Sequence, residues 1–90
     1  MTTEADVIAR VRTFIQENFL YMRPNFVVGT DDRLLEQGII DSMGVLDLLN
    51  FLEEAFGVRV ADDELTEENL GTLRGIGRFV SAKQHAVGAD

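Results

Sequence analysis

Ninety residues with eight basic and 16 acidic side chains carry a net charge of −8, and 46% of the chain is apolar. That length supports one small domain with a thin core, and the negative field repels nucleic acid and anionic lipid while steering basic protein surfaces toward the chain. The absence of cysteine excludes disulfides, thiolate nucleophiles and cysteine-based zinc sites, and no apolar run reaches the length of a membrane span.

The start, Met1-Thr2-Thr3-Glu4-Ala5-Asp6, lacks the basic-then-apolar order of a signal peptide, and a cytoplasmic protein is expected. Helix I is predicted from Thr3 to Leu20, because Val7, Ile8, Val11, Phe14, Ile15 and Phe19 recur at spacings of three and four. Thr3 with Asp6 forms a capping-box pattern, and Pro24 bars continuation past Met22. Residues 23–41 show no sustained period. A connection of that length is uncommon in a compact domain and is usually functional. Phe26, Val27, Leu34, Leu35, Ile39 and Ile40 are expected to pin it to the core.

Helix II is predicted from Ser42 to Phe56, with Val45, Leu48, Leu49, Leu52 and Phe56 as its buried stripe and Gly57 as its left-handed terminator. Val58, Arg59 and Val60 read as a short extended piece. An acidic turn, Asp62-Asp63-Glu64-Leu65, precedes a one-turn third helix over residues 66–70 capped by Thr66. The last helix starts near Thr72, with Leu73, Ile76, Phe79 and Val80 on one face. The period is lost after Ser81, so residues 1–82 are expected to form the domain and 83–90 a disordered tail. The predicted fold is all-α: a small four-helix bundle with three main helices, one short third helix and a long first loop.

Other chemistries fail on spacing. Counting from Asp31, the third and fifth positions are Arg33 and Leu35, which cannot serve a calcium loop. The one histidine, His85, falls in the expected tail, where it cannot be held as the base of a hydrolytic triad with Ser42. No glycine-rich phosphate loop and no basic aromatic patch is present, and no metal site is expected.

The run Gly38-Ile39-Ile40-Asp41-Ser42-Met43-Gly44 stands at the mouth of helix II, and Glu53-Glu54-Ala55-Phe56-Gly57 closes that helix. With the helix I stripe, the long loop, the acidic turn and the short third helix, these residues resemble the acyl carrier protein family of phosphopantetheine-binding carriers. The likeness covers about residues 7–80. It implies that Ser42 bears a covalent 4′-phosphopantetheine arm and that Asp41, beside it, engages the modifying enzyme. A helix N-terminus favours an added phosphate, and the arm would supply the thiol that this chain lacks. The protein would then be no enzyme but a monomeric shuttle for a thioester-bound acyl or aminoacyl group in fatty acid, lipid or secondary-metabolite biosynthesis.

By the same resemblance, partners read helix II: Met43 and Leu46 near the serine, then Asp47, Asn50, Glu53 and Glu54. Expected partners are a phosphopantetheinyl transferase, an acyl- or aminoacyl-activating ligase, and acyl-transferring or synthase enzymes with basic docking surfaces. Met43 and Leu46 would line the entrance to a cavity between helices II and III. Gly44 and Asn50 depart from fatty-acid-synthesis carriers, which carry an acid and an apolar residue there. The run from Gly38 to Gly44 is similar instead to free-standing specialised carriers such as D-alanyl carrier proteins. From the residues alone, one other reading stands: an unmodified acidic helical interaction module in which Ser42 is only a helix cap.

Overall fold

The computed structural model describes residues 3–23 and 25–88, with side chains to residue 84. Four α-helices follow in chain order: α1 (Glu4–Phe19), α2 (Ser42–Phe56), α3 (Glu67–Leu70) and α4 (Leu73–Gly88), with a 3-10 turn over Asp62–Glu64. The described residues contain no strand.

Local signals set the helix starts. The Thr3 hydroxyl accepts the Asp6 amide at 3.1 Å while the Asp6 carboxylate accepts the Thr3 amide at 3.4 Å, completing the capping box. The Thr66 hydroxyl caps α3 by accepting the Asn69 amide at 3.2 Å. α2 ends at Gly57, whose φ of 67° is open to glycine at little cost. Helix α1 stops at Phe19, a residue short of the predicted end. Pro24 lies outside the described residues, so its part in stopping the helix is left aside.

The core is one cluster to which α1 gives Val7, Val11 and Ile15, α2 gives Leu48, Leu52 and Phe56, and α4 gives Leu73, Ile76 and Val80. α1 packs mainly against α4. On the α1–α2 seam, Phe14 stacks on Phe51 with centroids 4.3 Å apart, and Phe19 and Phe56 meet this pair edge-on.

The first loop is pinned, as expected, but partly by other residues. Leu34, Ile39 and Ile40 are buried, whereas Val27 is 72% exposed and Val28 takes the core position. An irregular chain has no period to say which of two adjacent valines turns inward. Polar clips add to the anchoring: Arg12 donates to the Val28 carbonyl at 2.9 Å and the Thr30 hydroxyl at 3.1 Å, and Gln16 donates to the Phe26 carbonyl. Asp31 receives both Arg74 donors, at 2.7 and 3.1 Å, and Asp32 accepts the Gly29 amide. These two acids, which failed as calcium ligands, therefore shape the loop.

Helix α4 runs further than the domain limit at residue 82 suggested, staying helical through Gly88. Past that limit, Lys83 pairs with Glu64 at 2.7 Å and Gln84 donates to the Phe56 carbonyl at 3.0 Å. These long polar side chains hold the helix by contacts that a hydrophobic period cannot reveal. Residues 89 and 90 and the His85 side chain lie outside the described residues.

Candidate functional site

Asp41 ends the first loop in extended geometry and caps α2, its Oδ1 accepting the Gly44 amide at 2.7 Å. The Asp41 carbonyl accepts the Val45 amide at 3.1 Å. Among the described residues, the amides of Ser42 and Met43 have no acceptor, and no group bonds the Ser42 hydroxyl. Ser42 is exposed at the first position of α2. A hydroxyl there, beside free N–H groups at the positive end of a helix of 15 residues, fits a phosphoester. Once phosphorylated, its charge would face the Asp41 carboxylate, a repulsion that the free amides offset.

The α2 face beside this hydroxyl is exposed. Met43 is 72% and Leu46 56% accessible, and Asp47, Asn50 and Glu54 are exposed further along. Glu53 differs: it is half-buried, and its carboxylate accepts the Val60 amide at 3.1 Å. It ties the chain after α2 back onto the helix, so the exposed acids of this face are Asp47 and Glu54. Gly44 is buried against α1, and a Cβ there would lie 2.8 Å from Cε1 of Phe19. The end of α1 is thus seated on the first turn of α2, with Tyr21 and Met22 exposed just beyond it.

Between α2 and α3 lies a recess of about 170 Å³. Leu35, Val45, Leu65 and Leu70 make its apolar walls, and Thr66 and Glu67 its polar rim. Met43 and Leu46 do not line it, since both point to solvent. The sequence reading missed Leu35, Val45 and Glu67 as neighbours of the site. Only the spacing of Val45 from Ser42, one helical turn, could have indicated one of them. No group of side chains able to hold a metal ion occurs among the described residues, and no described helix is long and apolar enough to cross a membrane.

Against this geometry, the family described as "Phosphopantetheine attachment site" matches residues 10–80. A D-alanyl carrier protein of Abiotrophia defectiva is 33% identical over 57 residues, 63% of this chain and 72% of that protein. D-alanyl carrier proteins of Streptococcus pyogenes serotypes M5 (strain Manfredo) and M1 are 32% identical over 56 residues, 62% of this chain and 71% of theirs. The chain belongs to the phosphopantetheine-binding carrier family. It is a carrier that holds covalent 4′-phosphopantetheine and works with transferases and ligases; it is not itself an enzyme.

Proposed function

We propose that Ser42 is the attachment residue and that the chain is a free-standing carrier of an aminoacyl thioester. The observation that carries the first part is an exposed hydroxyl, free of partners among the described residues, at the N-terminus of α2. When bound, the prosthetic group supplies a thiol on which the cargo rides as a thioester. The chain needs no base of its own, because the modifying transferase supplies the chemistry. Asp41 orders the first turn and keeps Ser42 at the helix mouth, and its carboxylate faces the docking transferase.

Support for an aminoacyl cargo comes from the likeness to D-alanyl carrier proteins and from Asn50, exposed on α2. A stand-alone adenylating ligase is then the loading partner, and the setting is cytoplasmic. Partners would read Met43, Leu46, Asp47, Asn50 and Glu54 on α2, with Glu53 serving mainly to hold the helix to Val60. Weak, fast, salt-sensitive docking suits a carrier that must leave each enzyme it visits.

Intact mass tests the attachment. Incubation with a broad-specificity phosphopantetheinyl transferase and coenzyme A is expected to add one phosphopantetheinyl group to the wild type and none to Ser42→Ala. An unmodified wild type with no arm already present would leave Ser42 as a helix cap and the chain as an acidic interaction module. Loading of the holo chain by ligases of amino acids against those of fatty acids then decides the cargo class.

A further inference from the structure

We propose that the cleft along the outer face of α1 is a self-association surface: a second copy of this chain seats its own α1 there, antiparallel, about a two-fold axis. The proposal is independent of the attachment reading, since no step of it uses Ser42.

The cleft measures about 340 Å³ and is lined by Ala9, Arg10, Thr13, Phe14, Glu17 and Phe51. Its floor is aromatic. Phe14 stacks on Phe51 with centroids 4.3 Å apart, and both residues are only half-buried. Midway along, the Thr13 hydroxyl donates to the Ala9 carbonyl at 3.1 Å, so its proton is already used within the helix. Covering such a floor removes apolar surface from water.

Charges mark the two ends. Arg10 and Glu17 are exposed and stand seven residues apart, two turns or about 10 Å along α1. The Arg10 guanidinium lies over the Phe56 ring, 4.8 Å from its centroid. Stacking of this kind leaves the N–H edge of the guanidinium open to a carboxylate. The ion pairs among the described residues join Arg33 to Glu36, Arg74 to Asp31 and Lys83 to Glu64, and so use neither Arg10 nor Glu17.

This arrangement is its own complement. A helix laid in the cleft must bring an acid to Arg10, a base to Glu17 two turns away, and an uncharged contact between them. A second α1 running antiparallel does so. Glu17 of the second copy meets Arg10, Arg10 of the second copy meets Glu17, and Thr13 and Phe14 of each chain cross at the axis. The same patch serves both chains, so the pair closes and adds no third copy. A parallel second copy would set Arg10 against Arg10 and Glu17 against Glu17. The net charge of −8 on each chain and the narrow face keep the association weak, so the monomer expected from the resemblance is the dilute state. Ser42 stands nine residues from Phe51, about 13 Å along α2, clear of the cleft.

Sedimentation equilibrium of the full-length chain, from micromolar to millimolar, tests the pairing. It follows wild type, Arg10→Glu, Glu17→Arg, and an equimolar mixture of the two variants. Wild type is expected to approach the mass of two chains at the top of the range. Each variant alone sets like charges at both ends of the pair and is expected to weaken association about ten-fold or more. In the mixture the new acid of one chain meets the new base of the other, and the native Glu17 meets the native Arg10. Association is therefore expected to return to near the wild-type level. Both variants stay net acidic, so bulk attraction cannot produce that recovery, and a misfolded variant could not give it. A wild type with the mass of one chain throughout would overturn the proposal. So would single variants that associate like wild type, or a mixture no better than its parts.

Discussion

Asp41 combines a helix cap with a negative charge beside Ser42, and two substitutions separate them. Asp41→Ala removes the acceptor of the Gly44 amide and is expected to cost about 1 kcal/mol in urea unfolding. Asp41→Asn keeps the cap, so its stability should stay near that of wild type. Slower modification by the transferase in Asp41→Asn would then report the charge alone. At Gly57 the backbone sets the limit: its φ of 67° makes Gly57→Ala cost about 1–2 kcal/mol, measurable as a lower denaturation midpoint. Gly44 teaches a related lesson. Its sequence meaning was a missing acid, yet in the fold it is the ground on which Phe19 lies.

The first loop shows how an element without periodic structure is held. Arg12 satisfies the Val28 carbonyl and the Thr30 hydroxyl. Arg12→Ala should destabilise the chain by about 1–3 kcal/mol, the usual cost of orphaning such an acceptor, with faster hydrogen exchange concentrated in residues 26–34. The Asp31 clip adds a pH dependence. The hydrogen bonds from Arg74, and then its charge, hold the Asp31 carboxyl below its ordinary 3.8. A lowered folded value means that the contribution is complete above 3.8 and is lost as pH falls through the folded value. Lys83, with the Ala61 amide, lowers Glu64 from 4.5 in the same sense. Protection of the Arg74 amide, which donates to Thr30, should therefore fall below about pH 3.8 in wild type and show no such step in Asp31→Asn. The helices themselves were legible: the α2 boundaries, the α1 capping box and the α4 stripe all follow from local pattern. The inward turn of Val28, the continuation of α4 and the recess beside Val45 were not, because each depends on partners more than ten residues away. Ser42 stood out as a candidate from its place at the mouth of α2. The second use of Glu53 was hidden, since a carboxylate reaching back to Val60 looks in sequence like any surface acid.

At the scale of the molecule, a net charge of −8 acts through the exposed acids of α2. Encounter with a basic partner should slow as salt rises, since the Debye length shrinks from about 10 Å at 0.1 M to about 3 Å at 1 M. Glu54→Lys, at an exposed position, is expected to lower the association rate with the transferase several-fold at low salt and leave the unfolding midpoint nearly unchanged. Stopped-flow mixing across a salt series reads both effects, and a rate indifferent to salt and to this reversal would rule out docking through that face. The end of α1 has a further use. The chain has no tryptophan and a single tyrosine, and Tyr21 is 68% exposed just past the turn that seats on Gly44. The intrinsic fluorescence of the protein therefore comes from one solvent-bathed ring near the mouth of α2. Unfolding should change this emission little, whereas an enzyme that covers this end should quench or shift it, giving a label-free optical reporter of docking.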